Sequence, residues 1–507
     1  MNPRRGMLRR LVIAVAAIVT GWIPVGRLAG ADTSSPLLGV HEFMLAPRNG
    51  VPDRVPLLLN VGAQVVRLPV TWHLMEGTRK GRTPTWFWQQ LDADVAAAER
   101  AQAKLIITFG QTPCWASSDP AKDCLNGTDF VYLHYRPMDA NDYADALARL
   151  LQRYGSRVFA WELWNEPNLV GNFRWPECGG TGDNRGMCLR EAAANDDYGD
   201  YVDLDGARQY VALVKAAYAR MKSLDPNVIV LAGSLGGSDV DYLKQMYDAG
   251  VKGSFSALSM HPYTATYPVS PRDSRYGQSY GPDECFAGTT DSRFWCFKQG
   301  VENVRQTMLA RQDSSPIWFT EFGFSSTTVW NGSGLDGQAA QLRSAVSIIR
   351  NWDFVPVACW YQLLDQAGAD GRETRFGLFD TALALKPAGA AYKEVAGPGK
   401  PLLVAPAGSV PTGTPTFVWR AVAGAVGYKL YVNQYSTPNV SGKINLEVTP
   451  EQASCATGVT CQYNQGIALA RADAEWWVTA NLAGGVSLLS DSMLFRVDAV
   501  VPAMNGP

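Results

Sequence analysis

From residue 37 onward, short runs rich in β-branched and aromatic residues alternate with longer amphipathic stretches, and this alternation limits the chain to few folds. The strand-like runs are Leu38–Phe43, Val65–Val70, Lys104–Phe109, Phe159–Trp164, Val228–Ala232, Ala257–His261, Ile317–Glu321 and Val357–Leu363. Helix-like stretches lie between them at Trp86–Ala101, Asp142–Tyr154, Gly206–Leu224, Asp239–Ala249, Gly300–Arg311 and Gly337–Asn351. In the clearest of these, Tyr210, Leu213, Val214 and Ala217 share one face at helical spacing, and Asp225-Pro226-Asn227 stops the helix. Eight strands alternating with helices is the count of an α/β protein of the (β/α)8 TIM barrel type. An open doubly wound sheet alternates in the same way. The first strand is followed by no glycine-rich phosphate turn, so the barrel is the preferred reading.

The chain's 507 residues exceed one ordinary domain. Composition changes near residue 397, where Gly397-Pro398-Gly399-Lys400-Pro401 reads as a linker. Short alternating runs follow at Thr416–Trp419, Tyr428–Val432, Glu475–Val478 and Met493–Val497, with no helix-like stretch. These predict a small C-terminal β-sandwich over 398–507, with Trp419, Tyr431, Trp476 and Trp477 supplying its core. The segment resembles the fibronectin-III-like modules attached to secreted bacterial enzymes. It is either a spacer or a carbohydrate-binding module. The spacer is preferred, because of the adjoining Trp476 and Trp477 at least one must point inward.

Residues 1–31 read as a signal peptide: Arg4, Arg5, Arg9 and Arg10, then the apolar Leu11–Val25, then Ala29-Gly30-Ala31 as a cleavage site. An uncleaved anchor is the alternative, though the apolar run is short of the ~20 residues a span needs. Removing the segment takes away 5 of the 45 basic residues and leaves 40 against 47 acidic, a net charge of −7. That balance argues against a nucleic-acid partner, and no later run is long and apolar enough for a membrane span. Export, to the periplasm or the medium, also fits the nine cysteines. Eight fall into close pairs, Cys114 with Cys124, Cys178 with Cys188, Cys285 with Cys296 and Cys455 with Cys461, and predict four local disulfides. Cys359, inside an apolar run, is left as a buried thiol. A metal site is the rival reading of these cysteines; with no CxxC or HxxxH spacing, no metal is expected.

Two of the strands end in a glutamate followed closely by Pro or Gly: Trp161-Glu162-Leu163-Trp164-Asn165-Glu166-Pro167 on the fourth and Trp318-Phe319-Thr320-Glu321-Phe322-Gly323 on the seventh. Barrel chemistry sits on the loops after the strand C-termini, so Glu166 and Glu321 are expected at one mouth. Two carboxyls facing one gap can cleave a glycosidic bond, one as proton donor and one as nucleophile or base.

With these motifs in place, the chain resembles the retaining glycoside hydrolases of clan A over residues 38 to about 395. The extended fourth-strand motif through Asn168 looks most like family 39 and related bacterial exopolysaccharide endoglycosidases. The resemblance implies a 32–397 catalytic barrel, Glu166 as general acid/base and Glu321 as nucleophile, with no cofactor. It further implies Asn165 on the sugar 2-hydroxyl, Arg67 and Tyr263 around the nucleophile, His261 in the strand-six His-x-Tyr, and Trp360 as an aromatic platform. A retaining pair needs the acid held protonated, by burial and a negative neighbour, while donors keep the nucleophile ionised.

Each assignment has a competing reading. Glu162 shares a strand face with Glu166 but sits deeper, and is read as the ion-pair partner of Arg67. His261 could be a satisfied core histidine and Trp360 pure packing. Asp365 is read as a loop cap. His41 and Glu42, ending strand one, and Trp72, Gln111 and Trp115, after strands two and three, could reach substrate. The long loops Asn168–Asp205 and Thr264–Phe297, each with a cysteine pair, are expected to form ordered lids or groove walls, with disorder as the alternative. The leading expectation is an exported, endo-acting polysaccharide hydrolase. An exo-acting β-xylosidase-like enzyme and a non-catalytic carbohydrate binder are the alternatives. The substrate is a polysaccharide or oligosaccharide.

Overall fold

The computed structural model describes residues 36–48, 50–119, 131–169, 172–175, 206–264, 278–285, 294–396 and 401–498, the last apart from 402, 423–424, 437–438, 456–459, 465–466, 483–486 and 491. Eight parallel strands close into a barrel in chain order: β1 Leu37–His41, β2 Val65–Thr71, β3 Lys104–Gly110, β4 Ala160–Leu163, β5 Val230–Gly236, β6 Ala257–His261, β7 Ile317–Phe322 and β8 Val357–Trp360. Closure is direct, since β1 pairs with both β2 and β8. Each sequence-predicted strand is present.

The helices among the described residues are α1 Val55–Val61, α2 Trp72–Glu76, α3 Thr85–Arg100, α4 Ala140–Tyr154, α5 Gly206–Leu224, α6 Val240–Asp248, α7 Phe297–Ala310, α8 Gly334–Ile349 and α9 Pro387–Ala396. The six expected helices correspond to α3 to α8. The additional ones are short: α1 and α2 have seven and five residues, and α9 has ten. Local chemistry sets the ends. Asp139 accepts from the Asn141 N–H at the start of α4 and Asp239 from the Tyr242 N–H at the start of α6, which satisfies donors the first turn leaves unpaired.

The strands bury both faces. Outward side chains meet the helices in one large core. Inward side chains fill the barrel with Val65, Ile106, Ala160, Leu231, Ala257, Trp318, Val357 and Cys359. In β1 this layer carries a glycine: a Cβ on Gly39 would sit 2.7 Å from both Cys359 Sγ and the Val65 carbonyl oxygen. Cys359 is thus the buried free thiol expected of it, and it takes the space that β1 leaves.

Beyond the barrel, one sheet runs in the order β10 (Gly408–Val410), β17 (Met493–Val497), β15 (Asp473–Leu482), β12 (Ala425–Ser436), β13 (Asn439–Val448), with β16 (Ser487–Leu489) also on β15. A second sheet runs β14 (Thr460–Tyr463), β11 (Phe417–Arg420), β9 (Leu403–Ala405). Trp419 and Trp476 are fully buried in the β-sandwich core. Tyr431 and Trp477 are not: alternation turns them to the outer face as a cross-strand pair, stacked with centroids 5.3 Å apart. The expectation that these two supply the core is corrected accordingly. Barrel and sandwich belong to one compact unit, Pro36–Pro507, and Gln102 after α3 donates to the Leu403 carbonyl at 3.1 Å.

The disulfides Cys285–Cys296 and Cys455–Cys461 are formed, and Cys114 is disulfide-bonded. Cys124, Cys178, Cys188 and the expected signal peptide lie outside the described residues. No helix among the described residues is long and apolar enough to cross a membrane.

Candidate active site

The mouth at the strand C-termini is organised around Arg67 on β2, which is fully buried. Its Nε donates to Glu162 Oε2 at 2.6 Å and its Nη1 to Glu321 Oε1. Nη1 also faces His41 Nδ1 at 3.0 Å, and Nη2 donates to Asn165 Oδ1 at 2.8 Å. A guanidinium has no acceptor. His41 must therefore present its Nδ1 lone pair and carry its proton on Nε2. Burial first, then Arg67, push the His41 pKa well down, so the ring is neutral. The same logic orients Asn165. Arg67 claims its carbonyl oxygen, leaving the amide NH2 of this exposed residue as a donor at the mouth.

Glu162 is the deep barrel carboxylate expected of it. It also accepts from Thr108 Oγ1 at 2.5 Å. Burial, the largest single influence, raises its pKa, but Arg67, His261 and the Thr108 hydroxyl together with Thr320 hold the carboxyl below its ordinary value.

Trp164-Asn165-Glu166 forms a sharp turn after β4. Trp164 and Glu166 take φ of 71° and 46°, left-handed conformations uncommon outside glycine. The turn is over-determined by its surroundings, as such strain requires. Trp164 N–H donates to the Phe109 carbonyl and Glu166 N–H to the Ser234 carbonyl, both at 2.9 Å. The Trp164 indole donates to the Asn172 carbonyl at 2.7 Å. Asn168, fully buried, makes paired 2.9 Å bonds with the Gly236 backbone. Gly236 lets the Leu169 side chain and Glu166 close over it: a Cβ there would lie 2.5 Å from Leu169 and 3.1 Å from Glu166 Oε1, so both would have to shift.

The turn delivers Glu166 opposite Glu321. One carboxylate oxygen of each, together with a ring nitrogen of His261, all lie within 4.8 Å of one another. His261 Nδ1 is 2.8 Å from Glu166 Oε1 and 3.7 Å from Glu321 Oε2. Tyr263 donates its hydroxyl to Glu321 Oε2 at 2.7 Å. Burial, then Glu321, push the Tyr263 pKa well up, so the phenol keeps its proton. Two donors, from Arg67 and Tyr263, thus converge on Glu321. The Glu166–His261–Glu321 trio has the spacing of metal ligands, but Arg67 and Tyr263 already occupy the Glu321 oxygens.

The structure therefore brings Glu166, Glu321, Asn165, Arg67, His261 and Tyr263 together. It does not bring Trp360. That ring is fully buried, donates to the Phe376 carbonyl at 2.9 Å and packs against Phe322 and Phe324. On β8, Cys359 faces the barrel interior and Trp360 the helices, so Trp360 cannot underlie a sugar. The aromatic at the mouth is its neighbour Tyr361. Partly exposed, Tyr361 lies 5.1 Å from the His41 ring and 6.3 Å from the Tyr263 ring.

The peripheral candidates separate. Asp365 is a loop cap, accepting from Gly377 N–H at 2.7 Å and Lys386 Nζ at 2.9 Å. Glu42 points away from the mouth toward Arg54, at 3.6 Å. Trp72 is buried and donates to Glu76 Oε2 at 3.2 Å. Trp115 is half-buried and donates to the Glu76 carbonyl. Gln111 is exposed at the end of β3. Residues 170–171, 176–205, 265–277 and 286–293, which carry most of the expected groove walls, lie outside the described residues.

Among solved structures, the chain is similar to a family 39 glycoside hydrolase from the gut symbiont Bacteroides cellulosilyticus WH2, with 19% identity over 85% of this chain and 81% of that one and a TM-score of 0.49. A glucosidase from Croceicoccus marinus shows 13% identity over 90% and 97%, TM-score 0.49. The GH39 enzyme from Xanthomonas axonopodis pv. citri shows 15% over 85% and 94%, TM-score 0.46. No curated protein sequence matches. The family model described as cellulase (glycosyl hydrolase family 5) matches residues 53–359, more than half of the chain, and bears out the clan A resemblance. The chain belongs to the cellulase family, glycosyl hydrolase family 5, and is a glycosidase.

Proposed function

We propose that this glycosidase cleaves a polysaccharide by double displacement with retention of configuration, using Glu321 as nucleophile and Glu166 as acid and then base. The supporting observation is the separation of the carboxyls, with an oxygen of each within 4.8 Å. Retaining enzymes hold them ~5–5.5 Å apart, and inverting enzymes need room for a water between them. In the first step a Glu321 oxygen attacks the anomeric carbon while Glu166 gives its proton to the departing oxygen, forming a glycosyl ester. In the second, Glu166 takes a proton from water, the water oxygen bonds to the anomeric carbon, and Glu321 leaves. Arg67 and Tyr263 hold Glu321 through both steps, and the Asn165 amide is aimed to donate to the sugar 2-hydroxyl.

The same reading makes 1–31 a signal peptide, 32–397 the catalytic barrel and 398–507 an accessory spacer. The disulfides suit an exported enzyme. Endo action rests on the length of the β4–α5 and β6–α7 connections. Glu321→Ala and Glu166→Gln should fold normally and lose nearly all turnover on a polysaccharide that the wild type cleaves in a screen of defined polymers. Azide or formate should restore activity to the Glu321 variant. Wild-type turnover in either variant would refute its assignment. Activity should survive EDTA.

A further inference from the structure

Strand β5 departs from regularity where its register with β6 shifts between Ala232 and Leu235. Gly233 and Ser234 there take φ of 107° and 42°, forming a bulge. Two side-chain hydroxyls replace the displaced ladder bonds. Tyr210 accepts from Gly233 N–H at 3.0 Å while donating to the Leu163 carbonyl at 2.7 Å, and Ser259 accepts from Ser234 N–H at 2.9 Å. The bulge turns Ser234 toward the mouth by two groups at once. Its carbonyl takes the Glu166 N–H at 2.9 Å. Its Oγ lies 3.3 Å from His261 Nε2, the ring whose Nδ1 reaches Glu166 Oε1.

We propose that Ser234 is a positioning residue for Glu166: its hydroxyl donates to His261 Nε2 and fixes the tautomer with hydrogen on Nδ1, so that the ring donates to Oε1 and leaves the catalytic proton to Oε2, an oxygen that Asn172 Nδ2 also reaches, at a long 3.4 Å. This rests on the assignment of Glu166 as the acid/base.

A neutral ring with hydrogen on Nε2 would aim its Nδ1 lone pair at a carboxylate oxygen 2.8 Å away, which is repulsive unless Glu166 itself donates. With hydrogen on Nδ1 the contact is favourable whether Glu166 is protonated or not, because Oε1 accepts in both states. Nε2 then needs a donor, and the Ser234 hydroxyl is in place. The ring also faces Glu321 at 3.7 Å, the charges of Arg67 and Glu162 act on it, and the His41 ring near it is neutral. Burial opposes charging the ring, yet Glu321 and Glu166 hold its pKa above the ordinary value. A donor on Nε2 favours the neutral form. Without it the ring stays cationic to higher pH.

Ser234→Gly removes the hydroxyl and tolerates the positive φ. The whole chain holds four histidines, so ring 15N NMR of histidine-labelled protein, with His261→Asn for assignment, can follow one ring without substrate. In the wild type above its titration, His261 should show a protonated Nδ1 and a bare, hydrogen-bonded Nε2. In Ser234→Gly, Nε2 should move to the non-bonded shift and the ring should titrate at higher pH. On a polysaccharide the wild type cleaves, the pH profile of kcat/KM should shift along with the His261 titration and kcat fall about 10-fold, with Tm unchanged. A wild-type ring protonated on Nε2, a His261 titration unaltered by Ser234→Gly, or a loss of activity with an unmoved pH profile would overturn the inference. An active Glu166→Gln would instead overturn the acid/base assignment, and the NMR result distinguishes the two.

Discussion

Arg67 donates from Nε to Glu162 Oε2 at 2.6 Å inside the barrel, with both side chains essentially sealed from solvent. The same guanidinium grips Glu321 and Asn165. Glu162 therefore acts on the mouth through Arg67, and its removal leaves the buried Arg67 Nε without its carboxylate, with Glu321 as the one remaining anion on the guanidinium.

Glu162→Ala should destabilise the protein by about 3–5 kcal/mol, the usual cost of breaking a buried ion pair from one side. Glu166→Gln, at a partly exposed carboxyl, should cost less than about 1 kcal/mol. Denaturant unfolding of the two variants checks this; equal losses would remove the distinction between the structural and the chemical glutamate.

Tyr361 and Trp360 should separate in the same manner. Tyr361→Ala should leave Tm nearly unchanged and lower kcat/KM about 10-fold or more. Trp360→Ala should cost about 3–5 kcal/mol for emptying a buried aromatic site. Thermal melts and steady-state kinetics distinguish them. A stability loss at Tyr361, with unaltered kinetics, would contradict the corrected assignment.

The adjoining residues on β7 and β8 show how much of the site was legible. Glu321 and Glu166 could be read because each ends a strand motif just before a glycine or a proline. Tyr361 could not, because β8 is buried on both faces and its apolar run carries no alternation to say which side chains turn toward the mouth. Ser234 gave no signal either. Gly233-Ser234 reads as a turn that ends β5 at Ala232, whereas the strand continues through a bulge to Gly236. The barrel itself was legible because strand and helix periods alternate along the whole segment. The short α1 and α2 were not, having too few residues to display a period. In the sandwich, pattern located the strands, but pairing was needed to show that Tyr431 and Trp477 stack outside.

Glu42 gives a pH dependence. Burial raises its pKa from 4.5 to about 7, against the opposing pull of Arg54. The folded protein thus keeps a proton that the unfolded chain releases. The resulting stabilisation is complete below pH 4.5, declines as pH rises and is lost above about 7. It is on the order of 3 kcal/mol at 1.36 kcal/mol per pH unit. Glu42→Gln should remove that slope, so its stability relative to wild type should be greater at pH 8 than at pH 5. Denaturation midpoints at both pH values test it; parallel profiles would contradict it.

Cys359 should be silent to thiol reagents in the native protein. It is fully buried, and burial pushes its pKa well up. Unfolding without reductant should expose one reactive thiol. Finding three or more would show that the Cys114 or Cys178 groups are not paired as the sequence predicts.

The most direct test of the central claim is the anomeric configuration of the first-formed product, followed by proton NMR while the enzyme cleaves its polysaccharide. A glycosyl ester on Glu321 predicts a product with the same configuration as the bond broken. An inverted product would contradict the double displacement and the role of the Glu166–Glu321 pair.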